Sequence, residues 1–303
     1  MAIHYLSLYG EKFLDKGRNY MVKITTDSAC DLGDLLKQRD IPFLPLYVNL
    51  NGEEYRDGIN IKPQDIFKIV KETKKMPKTS ALSQSDYEEF FGNLVKEGHE
   101  VIHIGISSKL STSYDNSVKA ASLYSGKVKI VDSKNLSTGI GLLIMYAKDL
   151  ADKGLSSDEI VSKVEARVPY VQASFIIQEV EYLWRGGRLS TLSMLGANLL
   201  KIKPQIEVVD GAMKNTGKPR GKMLPVLKDY IDGMLSQYNN PDNTRCFVTH
   251  SQVEPELAAE IVDYVKSKNI FKEVLLTEAG ATITSHCGKG TLGLLYINDG
   301  TQE

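Results

Sequence analysis

The sequence predicts a two-domain α/β protein, with an N-terminal, mostly parallel sheet flanked by helices and a C-terminal mixed-sheet α/β unit. Three observations predict it. Between Val22 and Leu150, short β-branched runs alternate with amphipathic stretches, as strand–helix–strand units on a parallel sheet require. Between Gln205 and Thr216, two apolar runs flank Asp210-Gly211, a hairpin signal that brings antiparallel pairing into the second half. Hydroxyl-rich segments also follow strands, where open α/β sheets collect ligands.

The elements follow in order. Residues 1–20 precede the pattern and are read as an N-terminal extension. Residues 21–160 form the first domain and 161–303 the second. Val22–Thr25 is a strand, and Asp31 is expected to cap a helix over Leu32–Arg39. Phe43–Leu50 contains Pro45, which lacks a backbone N–H, so it is an edge or irregular strand. Asn51-Gly52 turns the chain into Glu53–Arg56, and Pro63 opens a helix to Thr73. Lys74–Lys78 is a basic linker into Thr79-Ser80. Ser85 with Glu88 is expected to start the helix that carries Tyr87, Phe90, Phe91 and Leu94.

Val101–Ile106 reads as a central strand. It runs into Ser107–Ser113, five hydroxyls in seven residues at the start of a helix to Leu123. Strand Val128–Val131, Asp132-Ser133 and an apolar helix reaching Leu150 complete the first domain. Ser157 is expected to cap a helix to Arg167, with strand Ser174–Gln178 after it. Val180–Trp184 is a short helix stopped by Gly186-Gly187, and Leu189–Leu200 is an apolar helix. After the hairpin come helix Lys222–Tyr238, strand Arg245–Thr249, helix Glu256–Lys268 and strand Glu273–Thr277. A glycine-rich turn and strand Thr291–Ile297 close the chain.

Composition narrows the function. The net charge of −1 over 303 residues argues against nucleic-acid binding by bulk electrostatics. Cys30, Cys246 and Cys287 are odd in number and far apart, which points to a reducing compartment and away from a zinc site. No run approaches the ~18 apolar residues of a membrane span. The expectation is a cytoplasmic protein with no metal.

Three polar clusters stand out: Thr79-Ser80, Ser107–Ser113 and Thr282–Gly290. Hydroxyls at a helix start cap it, and the same amides attract an anion, so the second cluster reads equally as caps and as an anion site. In the third, glycines permit close backbone approach, and His286 is a donor to a carboxylate, a base near neutral pH or a hydrogen-bonded turn histidine. Cys287 beside it is not expected to form a Cys–His dyad, because neighbours on extended backbone point to opposite faces. Asp27, Asp31 and Asp132 read as caps more readily than as metal ligands. No G-x-S-x-G elbow, Walker loop or G-x-G-x-x-G is present.

Six segments in order resemble the DegV family: Thr26-Asp27-Ser28-Ala29-Cys30-Asp31-Leu32, Lys78-Thr79-Ser80, Ser107–Tyr114, Val131-Asp132-Ser133, Arg185-Gly186-Gly187-Arg188-Leu189-Ser190 and His286-x-Gly-x-Gly. The resemblance implies a protein that buries one long-chain fatty acid between its domains. It implies presentation of the carboxylate to a separate fatty acid kinase, which forms an acyl phosphate. By the same resemblance Thr79, Ser111 and His286 hold the carboxylate, with Ser80 and Thr112 beside them. The protein is then a carrier, not an enzyme, with no cofactor and at most transient contact with a membrane surface. Arg188, Lys218 and Arg220 are the candidate partner contacts.

The chain departs from the family at four places. Ala81-Leu82 follow Thr79-Ser80, Thr112 and Ser113 stand in the hydroxyl segment, and Lys289 stands in the last glycine turn. A Cβ at Thr112 is expected to narrow the backbone approach to the carboxylate, and Lys289 to bring a charge close to it. The rival readings are a hydrolase or phosphotransferase that uses His286 with a hydroxyl, and a binder of another lipid or carboxylate.

Overall fold

The computed structural model describes residues 21–187 and 202–301. The expected extension, Arg188 and the helix expected over Leu189–Leu200 lie outside those residues. The first part of the chain runs β1 (Val22–Asp27), α1 (Asp34–Gln38), β2 (Phe43–Leu44), β3 (Tyr47–Leu50), β4 (Glu53–Arg56), α2 (Pro63–Thr73) and β5 (Lys78–Ser80). It continues with α3 (Gln84–Lys96), β6 (Glu100–Gly105), α4 (Ser113–Ala121), β7 (Val128–Asp132), α5 (Thr138–Asp152) and α6 (Ser157–Arg167). The second part runs β8 (Val171–Ile176), α7 (Val180–Arg185), β9 (Gln205–Val209), β10 (Ala212–Gly217), α8 (Met223–Gln237) and β11 (Arg245–Ser251). It ends with α9 (Pro255–Ser267), β12 (Glu273–Glu278), α10 (Ala281–Cys287) and β13 (Thr291–Ile297).

The fold is the expected α/β arrangement. Among the described residues, one sheet is fully parallel in the order β2-β1-β6-β7. The mixed sheet has the order β10-β9-β8-β13-β11-β12, antiparallel except where β11 pairs with β12. A third, antiparallel sheet, β4-β3-β5, is built from Tyr47–Ser80. Pro45 separates β2 from β3, so the apolar run Phe43–Leu50 supplies an edge strand to one sheet and a central strand to another. The basic linker ends in a strand, so Thr79 and Ser80 are held by pairing with Val48 and Tyr47.

One core joins the two larger sheets. Helix α5 is buried along most of its length, with Ile140, Leu142, Leu143 and Ile144 at most 2% exposed. A helix apolar all round belongs inside a protein. Here it lies in the core that holds Ile24 and Ile104 of the parallel sheet and Phe175 and Leu295 of the mixed sheet. The far face of the mixed sheet is covered by α8 and α9.

Three expected caps fall elsewhere. Helix α3 is capped by Ser83, whose hydroxyl accepts from Asp86 N while the Asp86 carboxylate accepts from Ser83 N. The same S-x-x-acid pattern two residues earlier beats Ser85–Glu88, and Glu88 accepts from Gln84 instead. Ser156 with Glu159 caps α6 in place of Ser157, whose hydroxyl goes to Glu100. Asp31 does not cap α1: Gly33 precedes that helix, and Asp31 takes a left-handed conformation with φ 52°. Its carboxylate is spent at the domain interface.

Candidate functional site

Helix α10 replaces the glycine-rich turn expected around His286. Its residues Thr-Ile-Thr are β-branched and favour strand locally. Tertiary contacts decide against that preference. Gly280 N donates to Asp31 Oδ1 at 2.8 Å, Ala281 N to Asp57 Oδ1 at 2.7 Å and Thr282 N to Asp57 Oδ2 at 3.1 Å. The free amides of the first turn are therefore met by two carboxylates of the N-terminal domain. Ser137 and Ser28 donate their hydroxyls to Asp31 and Asp57 in turn. Burial pushes both acids above the usual carboxylate range, and these hydrogen bonds only partly oppose it. Asp27, nearby and fully buried, is raised by burial to about 6 while it accepts from Ile106 N and Ala29 N. The acids Asp27 and Asp31 thus serve the backbone, and Asp132 accepts from Ser108 and Lys134 N.

This clamp aims His286 at β5. His286 Nε2 lies 2.8 Å from Thr79 Oγ1, a hydrogen bond between residues 207 positions apart. Both line a cavity of about 400 Å³ between the two α/β units, and Ser80, Ser111 and Thr112 line it too. The five residues singled out from the sequence therefore come together. Ile106, Leu136, Phe175, Met213 and Leu295 give the cavity apolar walls. An apolar cavity with a few convergent polar groups is the ordinary form of a small-molecule site.

The hydroxyl-rich segment divides its labour. Ser107 donates to Gly211 O at 2.8 Å and so ties the hairpin tip of β9–β10 to the N-terminal domain. Ser108 goes to Asp132, and Ser113 accepts from Leu82 N and Ser111 Oγ. Ser111, half-buried, also accepts from Ser113 N at 3.2 Å and keeps its oxygen at the cavity wall. Thr112 is exposed with φ −71° and ψ −3°, an ordinary right-handed conformation that accepts a Cβ without strain.

Lys289 corrects an expectation. It faces Glu254 at 3.8 Å and lines a separate groove with Glu179 and Arg185, outside the cavity of His286. Cys287 also differs from its reading. It is helical, not extended, and its Sγ lies 3.7 Å from Gly288 O. Burial raises its thiol to about 12, so it is no nucleophile at neutral pH. Lys218 and Arg220 are exposed beyond β10 and do not line the cavity.

Asp57, which holds the helix, and Lys109, on the cavity wall, were not singled out from the sequence. Lys109 sat inside the hydroxyl cluster and could have been found there. Asp57 had no local signal beyond a turn before Gly58.

Fold and site define a two-domain α/β protein with a ligand-sized cavity between its domains. The chain belongs to the DegV family, whose model, described as an uncharacterised protein family, matches residues 21–299. A DegV domain-containing protein of Caldanaerobacter subterraneus is 31% identical over 277 residues, covering 91% of this chain and 98% of the relative. A DegV family protein of Thermus thermophilus, described as fatty acid binding, superposes with a TM-score of 0.85 at 29% identity over 92% of this chain and 99% of its own. A stearic acid-binding protein of Eubacterium ventriosum superposes with a TM-score of 0.79 at 28% identity, over 92% and 98% of the two chains.

Proposed function

We propose that this protein binds one long-chain fatty acid in the cavity and presents its carboxylate to a partner fatty acid kinase. The observation that carries the reading is the 2.8 Å contact of Thr79 Oγ1 with His286 Nε2 at one wall of an otherwise largely apolar cavity. Each methylene buried there gains about 0.8 kcal/mol. A buried carboxylate needs hydrogen-bond donors; Thr79 and His286, which share one hydrogen bond here, and Ser111, whose hydroxyl donates here to Ser113 Oγ, would turn to it without a guanidinium clamp. Such a head group stays open to phosphoryl transfer. The fatty-acid-binding neighbours support the ligand class. The kinase partner and the carrier role rest on the family resemblance. In this reading the fatty acid is cargo, the chain needs no cofactor, and its setting is the cytoplasm. Among the described residues no helix is long and apolar enough to cross a membrane.

Native mass spectrometry of freshly purified protein tests the reading directly. An added mass of one fatty acid is expected, and it should exchange for added palmitate or oleate. Empty protein that takes up neither acid overturns it. A hydroxyl beside an imidazole also suits a nucleophile and its base. Hydrolysis of an acyl ester or acyl phosphate by the protein alone, lost in His286→Ala, would establish that second reading instead.

A further inference from the structure

The ring of His286 is held on a second side, by the end of α7. Gly186 terminates that helix, and a Cβ placed on it would lie 2.5 Å from His286 Nδ1 and 2.8 Å from Tyr182 O. Its backbone angles, φ −72° and ψ 0°, are right-handed and open to any residue. Alanine is the better helix former there, so backbone conformation does not account for the glycine. Two neighbours do: an added methyl group would crowd Tyr182 O and would claim the same space as the imidazole. The contact belongs to a wider seam, because a Cβ on Gly288 would meet Tyr182 Cδ2 at 2.8 Å. Helices α7 and α10 therefore approach through two glycines, one under the imidazole and one under the Tyr182 ring.

We propose that Gly186 is a positioning residue for the head-group histidine: its missing side chain leaves the space in which the imidazole turns Nε2 toward Thr79 and the bound carboxylate. This rests on the reading of His286 as a carboxylate donor. Gly186 touches no ligand in this account. It acts through the ring, and its substitution changes affinity by rotating or displacing that ring. The Arg185-Gly186-Gly187 segment thereby gains a role inside the site, separate from any role of its arginine on the surface.

A double-mutant cycle tests it. Delipidated wild type, Gly186→Ala, His286→Ala and the double variant are titrated with palmitate by calorimetry, and their thermal midpoints are measured. His286→Ala is expected to weaken binding about tenfold, the loss of one charge-assisted hydrogen bond. Gly186→Ala should weaken it by a similar factor. The double variant should bind no more weakly than His286→Ala alone, and any fall in thermal midpoint caused by Gly186→Ala should be smaller in the His286→Ala background, where only Tyr182 O still crowds the methyl group. The double variant also keeps the test alive if Gly186→Ala folds poorly. Wild-type affinity in Gly186→Ala, with His286→Ala weakened, overturns the positioning role and leaves the carboxylate reading intact. An equal further loss in the double variant overturns it in favour of a general packing role. Wild-type affinity in His286→Ala removes the histidine from the head group and this inference with it.

Discussion

Helices α3 and α10 solve the same problem by opposite means. Each must satisfy the free amides of its first turn. Helix α3 does so with Ser83 and Asp86, three residues apart. Helix α10 borrows Asp57 and Asp31, which lie 224 and 249 residues from the amides they accept. The difference extends to the chemistry of the acids. Burial acts to raise Asp86, but hydrogen bonds from Ser83 and Tyr47 outweigh it and leave its carboxyl below the usual range. Burial dominates at Asp57 and raises it. A local cap stabilises its own helix. A remote cap makes the placement of one helix, and of His286 on it, conditional on how two domains meet.

The largest effect should come from the remote cap. Asp57→Ala leaves two buried amides and the Ser28 hydroxyl without their acceptor, at about 1–3 kcal/mol each, partly offset by relief of a buried charge. The expected outcome is a loss of about 3 kcal/mol in denaturant unfolding together with a large loss of fatty acid affinity. Full affinity in a folded Asp57→Ala protein would break the link between the domain interface and the site.

Next come the head-group hydroxyls. Thr79→Ala and Ser111→Ala should each weaken fatty acid binding by about 1–3 kcal/mol, read by calorimetric titration. Both side chains are half-buried, so their thermal midpoints should move little. Unchanged affinity in both variants removes them from the carboxylate site. Smaller again is the local cap. Ser83→Ala should cost about 1 kcal/mol of stability and leave affinity untouched. A fall in affinity as large as that of Thr79→Ala would erase the contrast between the two helices.

The finest distinction is in pH dependence. Asp86 has a lowered pKa, so its contribution is present above the unfolded value near 4 and lost as pH falls through the folded one. The cost of Asp86→Asn should therefore shrink in acid. Asp57 is raised, so its contribution is full below the unfolded value and lost as pH climbs through the folded one. The cost of Asp57→Asn should shrink toward neutral pH. Urea unfolding followed from pH 3 to pH 7 reads both trends, and parallel trends would contradict the assignment of the two acids to different environments.

Much of this was written locally. Strand and helix alternation, the turn at Asp210-Gly211 and the apolar run that became α5 all depend on residues a few positions apart. Helix caps were also legible in kind, but neighbouring serines compete for the role, and Ser83 takes it from Ser85 and Ser156 from Ser157. Three hydroxyl- and glycine-rich clusters stood out locally, and the resemblance to the DegV family narrowed them to Thr79, Ser80, Ser111, Thr112 and His286, which line one cavity.

Local patterning specified the fold class, and family motifs marked the residues that meet at the cavity. How they meet depended on the packing of the two domains. The stretch from Thr282 carries strand-favouring residues and became a helix because carboxylates from the other domain met its amides. Lys289 turned to Glu254 and away from the cavity, and Gly186 came to rest against the imidazole. A hydrogen bond across 207 residues leaves no periodicity in the chain, because its geometry exists only once both domains have folded around it.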